Sequence, residues 1–239
     1  QIFFRWYGSR FLRLLACYER IFVQDEHSRQ ILENHGISRV TIAGDTRFDR
    51  VRKIAREASA IPAIDAFVAG GRTIVAGSTW PGDDEAISPC LEQMDKWVIA
   101  PHEVNEPRLR QLEKRFPGQT VRYSRMLQDP GSATGRRVLL IDNIGMLSAL
   151  YRYGQVSFVG GGFDHGIHNV LEAAVYGIPV IFGPRYRKFR EASDLLASGA
   201  AFSVGNAGEL EGTLRKLEDE TFRVRCGHAA DAYVREQSG

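Results

Sequence analysis

The sequence predicts an α/β protein with a parallel sheet and helices on both of its faces. Short β-rich runs recur near positions 21, 40, 73, 97, 121, 137, 156, 180 and 200, with helical patterns between them. That alternation specifies β-α units. One junction is especially plain: the apolar run 156–159 enters the glycine turn of "VGGGFDHGIHNVLEAAVYGIPVIFGP", and Ile167, Val170, Leu171, Ala174 and Val175 then recur at helical spacing. With 239 residues, 44% hydrophobic and 25% charged, the chain has ordinary globular composition and enough length for a good core.

At the start, "QIFFRWYGSRFLRLLACYERIFVQ" mixes Phe3, Phe4, Trp6, Phe11, Leu12, Leu14 and Leu15 with Arg5, Arg10 and Arg13. Basic residues beside aromatics can mark a membrane-surface helix; the expectation adopted is a helix packed in a domain core with its arginines in solvent. Gln1 stands in the middle of this apolar pattern without a capping signal, so a piece of a longer protein is expected. The runs "IFVQ" and "VTIAG" follow as strands. The charged segment "GDTRFDRVRKIAREASAIPAIDAF", interrupted by Pro62, reads as a connector. Residues 1–50 are therefore expected to be the end of one domain with its linker, and 51–239 a nearly complete α/β domain. There the strands are "TIVAGS", "WVIAP", "VRYS", "RVLLID", "VSFVGG", "VIFGP" and "AAFSVG".

Several function classes are excluded or weakened. No apolar stretch approaches the roughly 20 residues that span a bilayer. Cys17, Cys90 and Cys226 are odd in number and far apart, which indicates neither a disulfide framework nor a zinc knuckle and fits a reducing cytoplasm. A net charge of +2 without Lys/Arg runs among aromatics argues against nucleic acid. Gly160, Gly162 and Gly166 give G-x-G-x-x-x-G, one residue too long for the dinucleotide fingerprint, and the next strand, "VIFGP", lacks the terminal acidic residue that would hold an adenosine ribose. No Gly-Lys-Ser/Thr follows the turn, so it is no P-loop.

In open parallel sheets ligands sit at the carboxyl ends of the strands. "GSTWPGDDE", "PHEVNE", "DNIGML", the glycine turn and "GPRYRKF" all fall on that rim, which points to an anionic ligand of several parts. A glycine turn leading into a helix N-terminus offers backbone amides and partial positive charge to an anion. Ser78 and Thr79 offer hydroxyls and amides just before a helix; the alternative is a cap made by Thr79 or Asp83. His102 is a candidate anion donor, with Glu103 as a helix-start alternative. Asn169 and Glu172, three apart, share a helix face, Asn169 near the phosphate position and Glu172 one turn inward, where a carboxylate accepts two ribose hydroxyls. A capping arrangement is the alternative. His165 and His168 suggest a metal, and His168 with Glu172 has i,i+4 spacing, but no third ligand is evident, so none is expected.

"VTIAGDTRFDRV", "GSTWPGDDE", "DNIGML" and "VGGGFDHGIHNVLEAAVYGIPVIFGPRYRKFREA" together resemble the 3-deoxy-D-manno-octulosonic acid (Kdo) transferases of lipopolysaccharide synthesis, through nearly the whole chain. The resemblance implies a GT-B glycosyltransferase, in which two Rossmann-like domains face each other, with this chain carrying the C-terminal, CMP-Kdo-binding domain and the tail of the N-terminal one. It implies an inverting, metal-independent transfer of Kdo to a lipid A precursor (lipid IVA) at the cytoplasmic face of a bacterial inner membrane, with no cofactor. It implies that Ser78, Thr79 and the amides around Gly162 to Asn169, His168 among them, hold the phosphate or Kdo carboxylate. Glu172 would bind ribose, and Ile144, Gly145 and Met146 would border the cytosine, unless they are an ordinary helix start. Lys188 would reach the sugar or phosphate, or else point to solvent. Tyr176 and Phe182 are left to the core.

The departure is at the front. Such enzymes begin with a membrane-anchoring segment and a domain that receives the acceptor and supplies the catalytic carboxylate, so no catalytic residue is expected here, and Asp25, Glu26 and Asp45 are not assigned that role. The isolated chain is expected to be soluble and inactive in transfer. Two other classes stay open: a GT-B nucleotide-sugar epimerase or hydrolase, and a non-catalytic nucleotide-binding module.

Overall fold

The structure, a computed structural model, describes residues 9–238. The chain divides into two compact units, Gln1–Arg50 with Arg235–Gly239, and Val51–Val234. In the first unit α1 (Ser9–Leu15), β1 (Ile21–Val23), α2 (Glu26–Glu33) and β2 (Val40–Ile42) follow in order, and β1 pairs in parallel with β2. Asp25 begins α2 as its N-cap, accepting from Ser28 N at 2.7 Å. The aromatic residues Phe3, Phe4 and Trp6, with Arg5, lie outside the described residues. Within α1, Leu14 keeps 61% of its surface exposed, so a helix sunk in a core does not describe this part of the segment.

The expected connector is instead two helices, α3 (Thr46–Glu57) and α4 (Pro62–Val68). Charges dominate the sequence of α3, yet it buries Val51. Pro62 opens α4, where its missing N–H is harmless and its fixed φ suits a helix, and Ile64 and Phe67 are buried behind it.

The second unit continues as β3 (Thr73–Thr79), α5 (Pro81–Ile87), β4 (Lys96–Pro101), α6 (Glu106–Arg115), β5 (Thr120–Arg122), α7 (Tyr123–Gln128), β6 (Val138–Leu140), α8 (Leu147–Leu150), β7 (Val156–Val159), α9 (Leu171–Ala174), β8 (Val180–Phe182), α10 (Arg190–Ala197), β9 (Ala201–Ser203), α11 (Ala207–Lys216) and α12 (Glu220–Glu236). All nine expected strands form. The seven of this unit make one parallel sheet in the order β5-β6-β4-β3-β7-β8-β9. Strands such as "TIVA", "WVIA" and "VSFV" are apolar throughout because helices cover both faces, leaving no solvated side to mark with polar residues. Ile74, Trp97, Ile99, Leu140, Phe158 and Ile181 pack one continuous core on α5 and α11.

This order places a functional crevice. After β3 and β4 the chain builds one wing of the sheet, then crosses back so that β7 pairs with the other side of β3. The strand direction of growth reverses between β3 and β7, and ligands of open α/β sheets bind at that switch point, outside the carboxyl ends. The ends in question are Ser78–Trp80 and Gly160–Gly162. Among the described residues no helix is long and apolar enough to cross a membrane.

Candidate functional site

The two walls of the crevice touch through bare backbone. At the end of β3 the register slips between Gly77 and Thr79, and Ser78 adopts φ 54°, a left-handed conformation costly for a residue with a side chain. A Cβ on Gly160 would collide with the Ser78 carbonyl and lie 2.7 Å from Thr79 Cα; one on Gly162 would lie 2.6 Å from Gly183 Cα. These two glycines let protein backbones meet one another: Gly162, expected as a ligand contact, has its Cα face against Gly183. Gly161 supplies the actual turn, with φ 90°.

Part of the expected amide cradle is committed within the protein. Gly160 N donates to Gly77 O, Asp164, His165 and Gly166 N to Gly161 O, and His168 N to Gly160 O. Gly161 N donates to Asp83 Oδ2 at 2.7 Å. The expected helix is also shorter than its apolar spacing suggests. Ile167 and Val170 are buried as that spacing requires, but the backbone of 162–169 follows these internal bonds and α9 begins only at Leu171. Asn169 therefore precedes the helix, its Oδ1 accepting from Leu171 N at 3.2 Å.

Asn169 and Glu172 nevertheless meet. Asn169 Nδ2 donates to Glu172 Oε1 at 3.1 Å, and Ser148 Oγ, from α8, donates to Oε2 at 2.8 Å. Both carboxylate oxygens are thereby oriented while the group stays half-buried. Just before α8, Ile144 is 87% exposed, Gly145 turns with φ 95°, and Met146 Sδ accepts from Asn143 Nδ2. So large an exposed aliphatic surface four residues from Ser148 suits a flat ring.

On the β3 side, Ser78 is half-buried, whereas Thr79 is fully buried. Thr79 as a hydroxyl donor to a ligand is therefore corrected; its carbonyl accepts from His102 N at 3.0 Å and Arg108 Nη2 at 3.2 Å. Asp83, a capping alternative in the sequence, accepts from Trp80 N at 2.8 Å as well as from Gly161 N. It is completely buried, and burial pushes its carboxyl up to about 6, with the neighbouring charges of Asp84 and Asp164 adding to the rise and the two amides opposing it. Asp84 pairs with Arg108 at 2.5 Å, both buried, and burial outweighs the guanidinium, so its carboxyl is raised too. Asp164 Oδ2 accepts from Gly82 N at 3.2 Å at the start of α5.

Ring side chains from three adjacent strand ends meet at the mouth. Trp80 stacks on His102 with centroids 4.7 Å apart, His102 stacks on His168 at 4.4 Å, and His165 meets Trp80 edge-on at 4.7 Å. Trp80 Nε1 donates to His168 Nε2 at 3.1 Å. Because the indole only donates, His168 carries its proton on Nδ1, and burial followed by the adjacent His102 and His165 lowers its pKa. Trp80 was not singled out from the sequence, where nothing local tells a Trp in a turn from a core residue. Among the described residues, no group of three or more His, Cys, Asp or Glu is arranged to hold a metal. Lys188 is exposed beyond β8, and Phe182 is in the core.

No family model matches the chain. It is 29% identical over 252 aligned positions to a 3-deoxy-D-manno-octulosonic acid transferase of Bordetella pertussis, covering 98% of this chain and 57% of that protein. The chain spans about half the length of the curated relatives it matches. Its fold resembles the C-terminal CMP-Kdo binding domain of WaaA from Acinetobacter baumannii, with TM-score 0.57 and 20% identity over 79% of this chain and 97% of that one. A UDP-N-acetylglucosamine 2-epimerase reaches TM-score 0.61 at 15% identity, covering 93% and 56%. By sequence the chain is a relative of the 3-deoxy-D-manno-octulosonic acid transferases, and its architecture is the α/β fold of GT-B glycosyltransferases.

Proposed function

We propose that the Val51–Val234 unit binds CMP-Kdo and that the protein transfers Kdo from it to a lipid A precursor, as a glycosyltransferase of lipopolysaccharide synthesis at the inner-membrane surface. The observation that carries the nucleotide reading is Glu172, set at the carboxyl rim with both oxygens oriented by Ser148 and Asn169. A ribose presents two adjacent hydroxyls, and a fixed carboxylate accepts both. Ile144 and Met146 would flank the base, while Ser78, His102 and Lys188 would serve the anionic part of the donor. The sequence relatives, named as 3-deoxy-D-manno-octulosonic acid transferases, support Kdo as the transferred group, and the likeness to the CMP-Kdo binding domain of WaaA supports CMP-Kdo as its donor.

In transfer, an acceptor hydroxyl would lose its proton to a base and attack the anomeric carbon while CMP departs. No residue here is assigned as that base. Residues of this chain would position the donor and stabilise the leaving phosphate. The second reading, a GT-B enzyme acting on a uracil nucleotide, is favoured by the fold likeness to the epimerase. Calorimetric titration of the chain with CMP and with UMP separates the two. Saturable heat with CMP and at least tenfold weaker UMP binding is expected, and the reverse order would overturn the Kdo assignment.

A further inference from the structure

We propose that nucleotide binding at this site is coupled to uptake of one proton by His102, which becomes an imidazolium between the indole of Trp80 and the anionic part of the ligand; this rests on the nucleotide reading above. The three histidines at the mouth are not equivalent. His168 is fixed as the neutral tautomer, since protonating Nε2 would replace an acceptor with a donor facing the Trp80 N–H at 3.1 Å. His165 meets the indole only at its edge, 71° from parallel. His102 is exposed and stacked on the indole at 24° from parallel, the face where a ring's negative quadrupole favours a cation.

Other charged groups around His102 set the balance. From its own strand end comes Glu103; from the β3 turn and α5, the buried Asp83 and Asp84; from α6, Arg108, spent on Asp84. The β7 loop contributes Asp164, His165 and His168, and Arg185 after β8 donates to Asp164 O at 2.5 Å. His168 lies 4.4 Å away in a parallel stack, so a charge on His102 holds His168 neutral and the pair takes up one proton, not two. An arriving phosphate or carboxylate reverses the local balance in favour of the imidazolium. The proton comes from the buffer and adds to a ring nitrogen of His102; no covalent bond of the ligand changes.

The test is calorimetric titration of the whole chain with CMP at pH 7.5 in three buffers of different ionisation enthalpy, repeated with His102→Gln. The phosphate of CMP contributes any proton linkage of its own equally to both proteins, so the difference belongs to the histidine. The parent is expected to take up between about half a proton and one proton more than the variant, and its affinity advantage should grow roughly tenfold from pH 8 to pH 6. Trp80→Phe should leave the uptake at or below one proton, since a charge on His102 still holds the stacked His168 neutral and a phenyl face favours the cation less than an indole. Thermal melting checks that each variant is folded. Equal proton counts in parent and His102→Gln, with CMP still bound, would overturn the coupling and leave the nucleotide reading standing. Absence of CMP binding by the parent would overturn both.

Discussion

Glu172 accepts from Ser148 Oγ and Asn169 Nδ2, so its carboxylate is oriented before a ligand arrives. Losing hydrogen bonds to a charged group costs about 1.5–3 kcal/mol, or roughly ten- to a hundredfold in affinity. Glu172→Ala should weaken CMP binding by that factor. The same change leaves the Ser148 hydroxyl and Asn169 Nδ2 without their acceptor in a half-buried place, so melting should fall by only about 2–4 °C, the shift that about 1 kcal/mol produces in a unit of this size. Calorimetry and a thermal melt check the two effects independently, and unchanged affinity would remove Glu172 from the site. Asn169 and Glu172 were legible in the sequence because three-residue spacing brings side chains together in a helix or in the turn before one. Ser148, 24 residues earlier in sequence, was not, because only the sheet brings α8 alongside. The roles of Gly160 and Gly162 were hidden likewise: a glycine facing a ligand and a glycine facing another backbone read the same in one dimension.

Helix α5 ties the two walls of the crevice together, since Asp83 in its first turn accepts from Trp80 N and Gly161 N through a single oxygen. The rise of its carboxyl from 3.8 to about 6 corresponds to roughly 3 kcal/mol between protonation states. With the folded value above the unfolded one, the folded protein binds more protons between these limits. The associated stability is fully present below pH 3.8 and is lost as pH rises through about 6. Asp83→Asn cannot ionise and escapes that loss. Its stability relative to the parent should therefore improve by up to about 3 kcal/mol from pH 4 to pH 7, whatever constant penalty its buried amide carries. Denaturant unfolding at both pH values measures this, and a difference independent of pH would show that Asp83 is not the group titrating. The strands of the fold were legible because buried parallel strands are short apolar runs between turns. Helix α9 was overestimated because glycine-rich backbone can bury Ile167 and Val170 without being helical, its amides taken by Gly160 O and Gly161 O. Conversely, α3 reads as a connector because its charged sequence masks the buried Phe48 and Val51.

At the scale of the molecule, the candidate donor site from Ser78 to Lys188 falls entirely within the Val51–Val234 unit, which has its own seven-stranded sheet and core. Interactions within such a unit determine its folding. Residues 51–239 alone should therefore unfold cooperatively and bind CMP within about threefold of the whole chain, under about 0.7 kcal/mol apart. Transfer makes a different demand. The chain spans about half the length of its curated relatives, and the family resemblance assigns acceptor and base to the other half. Holding acceptor, base and donor in register supplies about 7–11 kcal/mol of barrier reduction, and donor binding alone supplies none of it. Purified chain mixed with CMP-Kdo and a lipid A precursor should accordingly leave the acceptor mass unchanged while still binding CMP. Robust conversion would instead mean that this chain's own residues include the base, and Asp25, Glu26 and Asp45 would be the first carboxylates to substitute.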